Sequence, residues 1–257
     1  EVLVSGPVVS TSYHENTKAN ALHKIQDDDT IWHRTGDVGW IDEGGKLWLC
    51  GRKSQNVATP NGLLFTMQCE EIFNAHDQVY RTALVGVGPS DNQTPVICVQ
   101  RVSDYSPMDD DLLHELKALG QQQPCTRNIE HFLVHPKFPV DIRHNAKIER
   151  EELAVWAGAK LKLIKVPRAP LLVMAVPIIA WLYLLAGLWW PQPHVSLVVI
   201  WWIIFFLHFV VHPLQILKGL HVAKRVGHHP LYIACMTTIF GATYWRALKS
   251  VDARVLR

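Results

Sequence analysis

An α+β unit with a small, mostly antiparallel sheet and helices, followed by two or three transmembrane helices, is the architecture this sequence predicts. Two observations carry it. Residues 1–168 alternate short apolar or β-branched runs with turn residues and amphipathic stretches, whereas Ala169–Leu217 holds no Asp, Glu, Lys or Arg over 49 residues. Soluble cores seldom need so long an uncharged stretch, while a bilayer core requires it. A boundary near Lys165–Pro170 follows, and the expected divisions are 1–53, 54–160 and 161–257.

In chain order, Glu1–Val9 reads as a strand broken by Gly6-Pro7. The chain opens there without methionine and is expected to be a fragment or processed piece. Thr30-Ile31-Trp32-His33 and Lys46-Leu47-Trp48-Leu49-Cys50 flank the turn Glu43-Gly44-Gly45, a meander of short strands with tight hairpins. Met67–Ala75 reads as a helix, with strands over Thr82–Val87 and Val96–Val102. Leu112, Leu113, Leu116 and Leu119 recur at helical spacing in Asp109–Leu119. Phe132–His135 reads as a last strand, and Glu149–Ala157 as a last helix of this unit.

Leu171–Trp190 is an apolar run of 20 residues, about 30 Å as a helix at roughly 1.5 Å per residue, which matches a bilayer core. Pro177 inside it is tolerable in a spanning helix. Pro191-Gln192-Pro193 ends the run, Val195–Leu217 supplies a second, and Leu231–Trp245 is a shorter third, either a marginal span or an interfacial helix. Trp189, Trp190, Trp201 and Trp202 bracket the first loop, as headgroup-level indoles do. Lys160, Lys162, Lys165 and Arg168 precede the first run, and Lys218, Lys224 and Arg225 follow the second. The positive-inside rule then places the soluble lobe on the cytoplasmic side of an integral membrane protein. A complete third crossing would carry Arg246, Lys249, Arg254 and Arg257 to the far side, against that rule.

A formal charge of +2 excludes a broad nucleic-acid footprint. The five cysteines, Cys50, Cys69, Cys98, Cys125 and Cys235, form no CxxC pair and are odd in number, which points to reduced thiols. His208 and His212 lie four apart on one helical face, with His221, His228 and His229 following, but no carboxylate accompanies them in the apolar stretch, and no metal ligand is assigned.

Asp37, in Thr35-Gly36-Asp37, offers two acceptor oxygens to a vicinal diol such as ribose, or simply caps a turn. Arg52, in Gly51-Arg52-Lys53, follows at a distance that suits a phosphate or the same ribose, or is a surface arginine in a hairpin. Lys147, in Asn145-Ala146-Lys147-Ile148, stands ahead of a helix on a loop able to reach over an active site, or is a solvated lysine.

The joint order of Val4-Ser5-Gly6-Pro7 with Tyr13, Arg34-Thr35-Gly36-Asp37-Val38-Gly39 with Asp42 and Gly45, Gly51-Arg52, and Lys147-Ile148 with Arg150 and Leu153 resembles the acyl-adenylate-forming superfamily of acyl-CoA synthetases, luciferases and adenylation domains. The match covers roughly residues 1–157, and its details are most similar to the ATP-dependent β-lactone synthetases of olefin biosynthesis. The resemblance implies the C-terminal part of such an enzyme, with residues 1–53 ending its large domain and 54–160 forming its small lobe. It implies nucleotide binding by Asp37 and Arg52, a hinge at Ser54 and adenylation driven by Lys147. ATP and Mg²⁺ are the implied cofactors, the magnesium ligand belonging to the large domain, and CoA enters only in the ligase alternative. A hydroxy fatty acid closed to a β-lactone is the implied reaction, with partner enzymes of a hydrocarbon or lipid pathway. Ser54 stands where acyl-CoA synthetases carry Lys or Asp, and Asn145-Ala146-Lys147 replaces Ser-Gly-Lys; both departures suit the lactone-forming group. The competing classes are a fatty acyl-CoA or acyl-AMP ligase, a non-catalytic membrane anchoring module, and a histidine-metal membrane oxidoreductase.

Overall fold

The computed structural model describes residues 1–102, 109–141, 147–163, 170–190, 192–224 and 226–249. Asn145 and Ala146 of the lysine loop, and Lys165, Arg168, Arg225, Arg254 and Arg257 of the basic flanks, lie outside the described residues. The chain forms two compact units, one of Glu1–Gly86 with Asp91–Arg150, the other of Val87–Ser90 with Glu151–Arg257.

The first unit opens with β1 (Leu3–Val4), α1 (Thr17–His23), β2 (Lys24–Asp27) and β3 (Thr30–Arg34), and the three strands pair antiparallel in the order β1-β3-β2. The short strand expected ahead of Gly6-Pro7 is two residues long, and Gly6 at φ +135° turns the chain out and leaves Val8 95% exposed. β4 (Asp37–Ile41) and β5 (Leu47–Arg52) form a separate hairpin with a register shift between Val38 and Gly39. Asp42 closes its turn, accepting from the amides of Gly44 and Lys46 and from Trp48 Nε1. A single 3₁₀ turn, Lys53–Gln55, leads to the small hairpin of β6 (Val57–Thr59) and β7 (Gly62–Leu64).

Next come α2 (Thr66–Asn74), β8 (Val79–Val87), β9 (Thr94–Arg101), α3 (Asp110–Gln121) and β10 (His131–Val134). The amide of Val102, just past β9, donates to the carbonyl of Gln78, just before β8, so these two neighbours run antiparallel. β10 pairs with the other edge of β9 in parallel, Phe132 opposite Ile97. Parallel neighbours need a crossover, and α3 supplies it. As the central strand, β9 buries Val96, Ile97, Cys98 and Val99 completely. Cys69 and Phe73 of α2 and Leu112 and Leu116 of α3 pack with Leu84, Ile97, Val99 and Phe132 of the sheet. Phe73 meets Phe132 edge to face, with ring centroids 5.3 Å apart. Asp109 caps α3, accepting from Leu112 N at 2.8 Å.

In the second unit α4 (Arg150–Lys160) is followed by α5 (Leu171–Trp189) and α6 (Val195–Phe206). The run begun by α6 continues as a π-helical stretch, Leu207–Val211, and α7 (His212–Leu214). Pro213 has no N–H for the carbonyl one turn back, and the backbone widens to accommodate it. The second apolar helix ends at Leu214, with Gln215 as its C-cap, rather than at Leu217. Two helices, Leu171–Trp189 and Val195–Leu214, are long and apolar enough to cross a membrane, by length and composition. The third segment is divided: α9 (Pro230–Phe240) stops at Gly241, with φ +58°, and α10 (Ala242–Lys249) restarts beyond it. At 11 residues, about 16 Å, α9 is too short to span. α8 (Ile216–Lys224) precedes it, and Ala223, Ile233, Tyr244, Trp245 and Leu248 pack with Val155 of α4 into the core of this unit.

Candidate functional site

The Thr35-Gly36-Asp37 turn sits where the first sheet meets the β4–β5 hairpin, and backbone hydrogen bonds fix it from three sides. Thr35 Oγ1 donates to Val2 O at 2.9 Å and accepts from Asp37 N at 3.0 Å. Val2 N donates to Asp37 O, and Lys53 N to Gly36 O, each at 2.8 Å. Gly36 adopts φ +75°, a left-handed conformation that favours glycine.

Register brings Asp37 directly opposite Arg52 in the hairpin. Arg52 Nε lies 3.0 Å from Asp37 Oδ1, and its Nη1 donates to Thr35 O at 2.8 Å. The guanidinium is thereby held across the turn, while Asp37 Oδ2 makes no hydrogen bond among the described residues. Both side chains reach solvent, so the pair adds little to stability. What it supplies is geometry: one free carboxylate oxygen beside an oriented fork of donors, a set that fits a hydroxyl-bearing, phosphorylated ligand.

Gly51, just before Arg52, has φ +121°, and a Cβ there would stand 2.5 Å from Thr66 Oγ1. Glycine thus lets β5 press onto the start of α2. Ser54 lies exposed in the 3₁₀ turn that follows.

Lys147 emerges from a short stem. Val140 and Ile148 form an antiparallel bridge, Asp141 N donates to Lys147 O at 3.1 Å, and Glu149 N donates to Pro139 O at 2.9 Å. Its side chain is exposed, and no hydrogen bond or ion pair joins it to Asp37 or Arg52 among the described residues. The structure therefore unites two of the expected residues and leaves the third on its own stem.

Sequence reasoning gave no role to the group that anchors this stem. Arg150 forms a two-pronged ion pair with Glu70 of α2, Nη2 to Oε2 at 2.9 Å and Nη1 to Oε1 at 2.5 Å. Nη1 also donates to Leu84 O at 3.1 Å, and Glu70 Oε1 accepts from Leu84 N at 2.6 Å. Helix, strand and loop stem are thus tied at one buried point three residues from Lys147. Arg150 and Glu70 are 80 positions apart, so no local pattern could pair them.

Comparison with known proteins supports a likeness to the C-terminal part of adenylate-forming enzymes. No family model matches the chain. The amide bond synthetase McbA from Marinactinospora thermotolerans shares its fold, with a TM-score of 0.51 at 23% identity over 61% of this chain and 30% of that one. In sequence the chain is 48% identical over 168 residues to the olefin β-lactone synthetase of Stenotrophomonas maltophilia (strain K279a), covering 63% of this chain and 30% of the relative. It is 45% identical over 168 residues to the olefin β-lactone synthetase of Xanthomonas campestris pv. campestris, covering 62% and 30%. The chain therefore spans about 30% of the length of the curated relatives it matches.

Proposed function

We propose that this chain is the C-terminal portion of a membrane-tethered, ATP-dependent acyl-activating enzyme that adenylates a hydroxy fatty acid and closes it to a β-lactone, releasing AMP and pyrophosphate. The observation that carries the reading is the 48% identity over 168 residues to an olefin β-lactone synthetase, taken together with Asp37 and Arg52 as one oriented pair. ATP with Mg²⁺ supplies the activating phosphoryl chemistry. Asp37 Oδ2 accepts from ribose hydroxyls, and Arg52 keeps that carboxylate in place while facing the nucleotide. Lys147, whose side chain is exposed, neutralises charge that develops between substrate carboxylate and α-phosphate. Ser54 is the hinge about which the lobe carries Lys147 to and from the nucleotide.

The apolar helices suit a substrate that partitions into lipid, and the basic residues flanking them favour a lobe on the cytoplasmic side. The test is nucleotide turnover by the intact parent protein given a 3-hydroxy fatty acid, with and without CoA, beside Lys147→Ala. CoA-independent AMP and pyrophosphate release that Lys147→Ala abolishes is the expected result. Acyl-CoA formation would move the assignment to a ligase, and absence of turnover in both proteins would move it to an anchoring module.

A further inference from the structure

The helical unit holds a pair of imidazoles that acyl activation leaves unused. His208 lies within the π-helical stretch and is only 5% exposed; His212 follows it, their ring centroids 4.6 Å apart. In each ring Nδ1 faces a backbone carbonyl, His208 toward Ile204 O at 2.9 Å and His212 toward Thr238 O at 3.0 Å. A carbonyl only accepts, so Nδ1 carries the proton in both rings and Nε2 keeps its lone pair. This is the tautomer that a metal-ligating histidine adopts, with the second nitrogen tied to a carbonyl.

Two further observations concern the Nε2 atoms themselves. That of His208 is buried and has no hydrogen-bond partner, an expensive condition for a group in an apolar helix unless something occupies it. The His212 ring packs against Gly241, where a Cβ would stand 2.5 Å from Nε2 and 2.6 Å from Cδ2. π-helical turns concentrate at functional positions. The four-residue spacing alone does not distinguish a site from two interfacial histidines; fixed tautomers, burial and an unpartnered nitrogen do.

We propose that His208 and His212 bind a first-row transition-metal ion of the zinc or copper class through both Nε2 atoms. Imidazole suits these ions. Among the described residues no group of three or more His, Cys, Asp or Glu gathers there, so water or an oxygen-bearing ligand completes the coordination and the site is open.

The test uses the whole chain in detergent, stripped by chelation and titrated calorimetrically with Zn²⁺, beside His208→Gln and His212→Gln. One equivalent in the wild type, weakened at least tenfold by either substitution with unchanged far-ultraviolet dichroism, is the expected result. Wild-type affinity in both variants would overturn the proposal, since the ion would then sit on other histidines, as would absence of binding in the wild type. If the variants fail to fold, electron paramagnetic resonance of the wild type loaded with one equivalent of Cu²⁺ decides. Coupling to two imidazole nitrogens supports the site, and any other nitrogen count refutes it.

Discussion

Asp37, Arg52 and Lys147 differ in how far the protein constrains them, and the difference sets what their removal should do. Asp37 and Arg52 are half-exposed partners on one hairpin, so replacing either should leave the fold intact and weaken nucleotide binding. Lys147 is exposed, and Lys147→Ala should lower adenylation by about 10²–10³-fold in kcat, the usual effect of losing one group that stabilises transition-state charge; unchanged thermal unfolding would confirm that the loss is chemical. Arg150 behaves in the opposite way. Arg150→Met strands the Glu70 carboxylate, which is 8% exposed, and should destabilise the intact protein by about 3–5 kcal/mol. Glu70→Gln with Arg150→Met should cost less than Arg150→Met alone, read by denaturant titration, because the stranded charge is gone. Asp37 and Arg52 come together because a hairpin places residues of opposite strands opposite one another at short separation. Glu70 and Arg150 meet only through the packing of α2 against β8 and the loop stem, which leaves no periodic trace.

Among the helices of the first unit, α3 with its buried face was legible and α1 without one was not. Apolar spacing gave α3 its place within two residues, while α1 buries no residue and is announced only by Asn16, which accepts from Ala19 N at 3.0 Å. Strand periodicity likewise says nothing about direction, so the parallel seating of β10 on β9 emerged only from the structure. The junction of β5 with α2 depends on glycine: Gly51→Ala combines φ +121° with a 2.5 Å approach to Thr66 Oγ1 and should cost about 1–3 kcal/mol, measured as a lowered unfolding midpoint. At the α8–α9 connection His228 Nδ1 lies 2.7 Å from Tyr244 OH. Burial, reinforced by the positive charge of Lys160, lowers the His228 pKa from its ordinary 6.5. The folded state then binds fewer protons than the unfolded one over the window just below 6.5, so stability rises with pH through it and is lost as pH falls. Melting temperature should drop between pH 7.5 and pH 5, and His228→Gln should flatten that part of the profile.

At the scale of the whole molecule, α5 and the α6–α7 run confront water with surface that a soluble protein would not leave bare. Leu171, Leu172 and Val195 are each more than 80% exposed, and Trp189 is 75% exposed. Yet three of the aromatic donors on these helices are turned inward: Trp201 Nε1 donates to Leu184 O at 3.1 Å, Tyr183 OH to Leu197 O at 2.9 Å, and Trp181 Nε1 to Ile239 O at 3.2 Å. Apolar outside with donors turned inward is the arrangement lipid demands, since hydrocarbon can neither pay for an exposed N–H nor penalise an exposed leucine. The intact protein should therefore sediment with membranes and resist alkaline carbonate. Ile179 and Ile203 lie near the middles of the two helices and are 64% and 54% exposed, so Ile179→Arg with Ile203→Arg puts two charges at bilayer depth without disturbing a core. Each should cost about 2.5–3.5 kcal/mol of insertion, and the double variant should appear in the carbonate supernatant. If it stays in the pellet while the wild type does too, a protein partner rather than lipid covers these faces; if the wild type itself is released, the helices do not span.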